Sequence, residues 1–220
     1  MNLCIFAIAI LALSLTGSRS AFGGFWMGLF VVFILAGKRY VHYIIAFLIV
    51  GLVAFNSFFA NSPVFSRTGT VSEDLQFRQS IWIDAFQIAK ENPYLGIGWG
   101  NYQNYIMRHK QDQYLVINDE ILYFDQPENG YLKVLVELGF VGFAIFLVFV
   151  IKPLINGITL FLKNTADYKI VFLIASLVSW VVAFNTVYSL FDERILIMVV
   201  TILALLIAVP EKMDLKYERD

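Results

Sequence analysis

The sequence predicts an all-α polytopic membrane protein, with about six transmembrane helices and one long, partly helical extracytoplasmic loop. Three observations carry that prediction. Hydrophobic residues make up 59% of the 220 residues and charged residues only 15%, where a soluble domain carries about 25% charged residues. The mean hydropathy is +0.72, and apolar runs suited to crossing a bilayer recur along the chain. The polar residues, finally, are concentrated in one stretch, Asn61 to Tyr131.

Composition also excludes several function classes. Sixteen Lys and Arg against seventeen Asp and Glu leave a net charge of −1, which gives no basic face for nucleic acid. The lone cysteine, Cys4, lies in the first apolar run, so neither a disulfide framework nor a cysteine metal site is expected. Two histidines, His42 and His109, do not make a zinc site by themselves. No zinc or cysteine metal site is expected.

Residues 1–60 read as N-terminal transmembrane helices, the first one incomplete. The run Leu3–Leu15 is short against the roughly 20 residues of a span. A signal peptide would carry a basic start, and Met1-Asn2 has none. A complete short helix is another reading; the tail of a helix whose start is missing fits best. Thr16-Gly17-Ser18-Arg19-Ser20 reads as a turn carrying one arginine. A second run, Ala21–Ala36, ends at Gly37-Lys38-Arg39-Tyr40-Val41-His42, and a third covers Tyr43–Ala60.

Residues 61–130 form the loop, with an amphipathic helix at about 72–92. Ser72-Glu73-Asp74 supplies an N-cap and first-turn acids that suit the helix dipole. Pro93 stops the helix. Residues 131–209 hold the C-terminal spans, Tyr131–Ile151, Ile170–Phe184 and Ile195–Val209, and residues 210–220 a cytoplasmic tail.

Orientation follows from where the cations collect. Lys38 and Arg39, then Lys152, Lys163 and Lys169, then Lys212, Lys216 and Arg219 fall on one side of six alternating spans, which is therefore cytoplasmic. The Arg19 turn, the long loop and the Asn185–Glu193 connection fall on the other. The loop carries nine acids against five Lys and Arg, as a translocated segment does.

Within the loop, Arg78, Trp82, Ala85 and Ala89 share one helical face. A surface-lying amphipathic helix with a snorkelling or salt-bridged Arg78 accounts for that pattern without any chemistry. Gly96-Ile-Gly98-Trp-Gly100 is no nucleotide motif, since no strand precedes it and no Gly-Lys-Ser/Thr follows. A tight loop with close backbone approach explains it. Tyr102, Tyr105, Tyr114, Tyr123 and Phe124 make an aromatic stretch, an interfacial belt or a sugar-stacking platform.

Glu128 precedes the fourth span, with Asn129 as candidate N-cap. Its carboxylate is a competent general base if it reaches the proton, and equally a surface acid complementing a helix dipole. Glu137 falls about 12 Å into the predicted span, where a bare charge is costly; Lys133, one turn earlier, is its expected partner. Asp192-Glu193-Arg194 caps the last span, with cation binding or closure of the site as the functional alternative.

Taken as a set, certain residues resemble the C-terminal half of the O-antigen ligase and Wzy-type polymerase superfamily. They are Thr16-Gly-Ser-Arg19, Arg78-x-x-x-Trp82, Asn92-Pro93-x-x-Gly96-x-Gly98-x-Gly100, Glu128-Asn129-x-Tyr131-Leu132 and Glu137-x-Gly139-x-x-Gly142. The resemblance implies a glycosyltransferase at the outer face of the cytoplasmic (inner) membrane. It would move a glycan from undecaprenyl diphosphate to an acceptor hydroxyl, without nucleotide sugar, metal or cofactor. Arg78 and Arg19 match the family's essential arginines and would stabilise the leaving diphosphate.

Where ligases of this family carry histidine before the Asn, this chain has Glu128. Its role as base is therefore inferred from chemistry, and the change leans towards a polymerase. Asn129, Tyr131 and Trp82 are the expected substrate-binding residues. The expected partners are an undecaprenyl-diphosphate-linked glycan, membrane lipid, and either a missing N-terminal half or polysaccharide-assembly proteins. The family has about twice this many spans. A flippase of lipid-linked sugars, or a non-catalytic membrane subunit, are the alternatives; a flippase would show broken spans with midplane polar residues, which are scarce here.

Overall fold

A computed structural model describes residues 12–13, 18–36, 49, 71–109, 114–117, 120–163, 169–186, 190 and 192–217. Among them the elements are α1 (Arg19–Ala36), α2 (Val71–Glu91), α3 (Tyr102–His109), β1 (Tyr114–Ile117), β2 (Glu120–Tyr123), α4 (Gly130–Leu162), α5 (Lys169–Ala183) and α6 (Glu193–Tyr217). The predicted runs Leu3–Leu15 and Tyr43–Ala60 lie almost wholly outside the described residues. Two compact units divide the chain, residues 1–68 with 153–183 and 198–220, and residues 69–152 with 184–197.

The described architecture is helical, as expected, with one short hairpin added. Tyr114–Ile117 and Glu120–Tyr123 pair antiparallel, Tyr114 opposite Tyr123 and Ile117 opposite Glu120. The strands are rich in β-branched and aromatic residues, and two residues separate them, the commonest hairpin length. Of the predicted spans, one described helix is long and apolar enough to cross a bilayer, α4; the apolar stretches Ser20–Leu35 and Lys169–Ala183 are shorter.

In the first unit, α1 and α5 approach through small residues. Gly24 and Gly28, one turn apart on α1, face Ala175, Ser179 and Ala183 of α5, the small-xxx-small pattern that lets helix backbones close up in lipid. A Cβ on Gly24 would meet the Ser179 carbonyl oxygen at 2.6 Å, and one on Gly28 the Ala175 carbonyl oxygen at 3.0 Å, whereas Gly23 faces open space. Ser18 caps α1, its Oγ accepting from the Ala21 amide at 3.3 Å. Arg19 is thus the first residue of a helix, a correction to the predicted turn, because the cap lies one residue before it. Farther along, Gly157 of α4 lies against Leu206 and Ile174.

The second unit is built around a cluster of Ala85, Ile88 and Ala89 from α2, Tyr102 and Ile106 from α3, and Leu135 and Val136 from α4. The apolar residues of α2 recur at helical spacing, so one stripe is buried. The opposite face leaves Ile83 71% and Phe86 47% exposed. After α2, Pro93 forbids a further helical turn, and the chain folds into a turn holding three positive-φ glycines, Gly96, Gly98 and Gly100.

That turn is stitched to a break in α4. Gly139 has φ 64° and ψ −172°, so α4 is two helices, Gly130 to Leu138 and Phe140 to Leu162. At the break the Phe140 amide donates to the Pro93 carbonyl at 2.7 Å and the Val141 amide to that of Tyr94 at 3.3 Å. In return the Ile97 and Gly98 amides donate to the Val136 and Glu137 carbonyls at 3.0 and 2.9 Å. The second half of α4, at 1.5 Å per residue, is roughly 35 Å long, enough for a hydrocarbon core of about 30 Å. Ile145 and Val148 on it are 65% and 61% exposed, as lipid-facing residues would be.

Glu137 is therefore corrected as well. It stands before the break, not inside a continuous span, and is fully buried. Its two oxygens accept from the Gly100 amide at 3.1 Å and the Tyr102 amide at 3.3 Å, so it caps α3. The Lys133 ammonium donates to the Asp125 carbonyl at 3.2 Å. The break is hidden in the sequence because apolar periodicity runs straight through residue 139.

Two sets of substitutions test this packing. A Cβ at Gly139 would overlap the Tyr94 carbonyl, and one at Gly96 the Val136 carbonyl, both at positive φ. Gly139→Ala and Gly96→Ala should each cost about 2–3 kcal/mol, read as a lowered melting temperature in detergent. Melting at the wild-type temperature would contradict the stitch. In α1, Gly24→Ala and Gly28→Ala should destabilise by about 1–3 kcal/mol, while Gly23→Ala should be neutral or slightly stabilising. Equal effects at all three positions would rule out the close approach to α5.

Candidate functional site

Two of the three residues expected to carry catalysis are brought together by the second unit. Arg78, from the first half of α2, and Glu128, two residues before α4, form an ion pair at 3.6 Å with side chains 27% and 20% exposed. They are fifty residues apart in the chain. Trp82 lies one helical turn beyond Arg78, half-buried, and its indole N–H is buried with no hydrogen-bond partner among the described residues. Arg19 opens α1 in the first unit, and its side chain lies outside the described residues.

Glu128 adopts φ 52°, the one positive φ of a non-glycine residue among those described. Such a backbone costs of order 1–3 kcal/mol. A partly exposed ion pair contributes about 1 kcal/mol or less, so the pair alone does not hold this conformation. The residues that follow provide the hold. Asn129 caps α4, its Oδ1 accepting from the Leu132 amide at 3.1 Å, while its Nδ2 donates to Asn185 Oδ1 at 3.0 Å. The Gly130 amide donates to the Phe184 carbonyl at 2.9 Å. A side chain at Gly130 would overlap the Phe184 ring, and Tyr131 meets the same ring edge-on at 4.9 Å.

Asn129 and Tyr131, expected to bind substrate, thus have contacts that position Glu128. Phe184 and Asn185 complete this clamp and were not singled out from sequence. The available signal was weak: an Asn directly after the apolar run that ends at Phe184. Asp192 and Arg194 pair with each other at 2.8 Å at the start of α6, and those hydrogen bonds hold the Asp192 carboxyl below its ordinary range. Among the described residues no cluster of His, Cys, Asp and Glu could hold a metal.

A groove of about 450 Å³ begins at Gln79, next to Arg78 in the chain, and is lined further by Trp82, Ile83, Phe86, Gln87, Lys90 and Leu132. Lys90 lies over the Phe86 ring at 4.9 Å. Behind α2, burial pushes the Tyr102 phenol well above its ordinary range, with Asp84 and Glu137 adding to the effect. Its hydroxyl finds no hydrogen-bond partner among the described residues. Tyr102 is thus a neutral core residue, and the charge of the site resides at Arg78 and Glu128.

These positions can be set beside known proteins. The family model of the O-antigen ligases matches residues 4–147, a range that takes in Arg19, Arg78, Glu128 and the stitched turn. No curated protein matches the chain. The match covers more than half of the sequence and ends within α4, and the family is membrane-associated, in keeping with the apolar length of that helix. The chain belongs to the O-antigen ligase family.

Proposed function

We propose that this chain transfers a glycan from undecaprenyl diphosphate to an acceptor hydroxyl at the outer face of the inner membrane, as a polymerase- or ligase-like glycosyltransferase. The observation that carries the reading is the Arg78–Glu128 pair at 3.6 Å: a cation suited to a diphosphate beside a carboxylate suited to a hydroxyl proton. The diphosphate displaces Glu128 from Arg78, whose planar guanidinium holds phosphate oxygens by paired hydrogen bonds. Glu128 then accepts the proton as the acceptor oxygen attacks C1 of the donor sugar. The C1–oxygen bond to the new glycan forms, the C1–oxygen bond to phosphate breaks, and the lipid diphosphate leaves with its charge offset by Arg78. A single displacement of this kind inverts the anomeric centre.

The groove beside Trp82 supports the same reading. Its apolar lining and the exposed Ile83 and Phe86 suit the first isoprene units of a lipid whose headgroup lies at Arg78.

Glu128→Gln should lower turnover about 10²–10⁴-fold, and Arg78→Ala about 10²–10³-fold. Arg78→Lys should recover only part, since a point charge lacks the guanidinium fork. Consumption of lipid-linked glycan by protein reconstituted in liposomes measures these rates. Near-wild-type turnover in Glu128→Gln would remove the base role. In cells lacking the protein, lipid-linked glycan should accumulate on the outer leaflet; accumulation on the inner leaflet would favour a flippase.

A further inference from the structure

We infer that the exposed face of α3 is a carbohydrate subsite, a cleft that seats one pyranose ring of the acceptor glycan. It lies within the second unit and holds about 180 Å³, lined by Ile97, Asn101, Asn104, Tyr105, Arg108 and His109. At about 30 Å³ per water, that is the space of about six waters, comparable to a single monosaccharide. The ligand's identity rests on the glycan-transfer reading above; the cleft itself does not.

The arrangement follows from the helix. Tyr102 and Ile106, four residues apart, are buried and fix which way α3 faces. Asn101, Asn104, Tyr105 and Arg108 then fall on a common side at helical spacing. Asn101, Asn104 and Arg108 remain exposed, although the helix is pinned on its other side by the core and by Glu137. A rigid helix thus presents two amides, a guanidinium and an aromatic pair to one small concavity.

The planar groups are oriented in advance. His109 stacks on Tyr105 with ring centroids 4.3 Å apart and planes 23° apart. A carbonyl can only accept, so the 3.1 Å contact of His109 Nδ1 with the Tyr105 carbonyl places the proton on Nδ1. Nε2 then faces outward as the ring's remaining hydrogen-bonding atom. The Tyr105 hydroxyl reaches Glu91 at 3.4 Å, which itself accepts from Gln87 at 3.0 Å. Asn101 Nδ2 donates to the Ile97 carbonyl at 3.2 Å, which fixes the amide plane and leaves its Oδ1 as an acceptor.

Pyranose recognition needs this combination. Ring hydroxyls are both donors and acceptors, so they pair with amides, imidazole and guanidinium, while the C–H face of the ring packs on an aromatic surface. The Asn101 amide and the Tyr105–His109 pair, held in advance, bind without the ordering cost that mobile side chains incur, and Asn104 and Arg108 add donors at the rim. A lipid tail would find too much polarity here.

The test uses the full chain in lipid nanodiscs and saturation-transfer NMR with glucose, galactose, N-acetylglucosamine, rhamnose and glucuronic acid. At least one sugar should receive saturation. Tyr105→Ala, Arg108→Ala and Asn104→Ala should each reduce it severalfold, and Arg78→Ala should retain it. Asn104 and Arg108 are exposed, so matched melting curves are expected for their variants, whereas Tyr105 packs against the buried cluster and Tyr105→Ala should melt lower, which leaves the two exposed positions to decide the binding result. The inference is overturned if no sugar receives saturation, or if the cleft variants bind as wild type does. In transfer assays the same variants should raise KM for the acceptor with little change in kcat. If Arg78→Ala loses transfer while the cleft variants keep both binding and KM, the subsite falls and the transfer reading stands. If the cleft variants lose sugar binding while Arg78→Ala transfers normally, the subsite stands and the transfer mechanism falls.

Discussion

The second unit depends on one buried carboxylate and the backbone around it. Glu137 is fully buried, and a buried charge is tolerated only when it is paired or hydrogen-bonded. Here it caps the start of α3 through the Gly100 and Tyr102 amides, and charge-assisted bonds of this kind are stronger than neutral ones. Four backbone hydrogen bonds accompany it, two in each direction between the Pro93–Gly98 turn and the break at Gly139. The glycines are required because the two backbones approach closer than a Cβ permits. Through this stitch α2 is fixed against the first half of α4, and with it Arg78 against Glu128.

Stability and function pull in different directions at Glu128. Its positive φ costs more than the exposed ion pair returns. The difference is met by a local clamp, in which Asn129 caps α4 and bonds Asn185, and Gly130 leaves room only for the Phe184 ring. A surface acid merely complementing a helix dipole would need none of this. An arginine and a carboxylate held together at modest energetic gain are easily separated by a diphosphate, which is the behaviour proposed for the site.

Parts of this were legible in the sequence. Pro93 ends α2 because its ring and missing N–H disfavour a further turn, and the spaced glycines after it report close backbone approach. Arg78 and Glu128 stood out as charges at the two ends of a polar stretch. Other features were hidden for physical reasons. Nothing in the apolar run from Tyr131 reveals that Gly139 leaves the helical region, because the break is stabilised by the turn at Pro93, far away in sequence. Glu137 was consequently assigned to a continuous span; Lys133, its expected partner, does act on its carboxylate. The hairpin was lost among aromatics that also suit a membrane interface. Asn185 could not be linked to Asn129, since a polar residue at the end of an apolar run is common. Gly24 and Gly28 carried a readable spacing that the apolar character of α1 obscured.

The central claim is that Arg78 and Glu128 act as one unit in glycan transfer. Single-turnover rates for Arg78→Ala, Glu128→Ala and the double variant, measured in liposomes with lipid-linked donor, test it most directly. Residues that act together lose their contribution once, so the double variant should be no slower than the slower single variant. Losses that multiply in the double variant would show two independent sites and contradict the account.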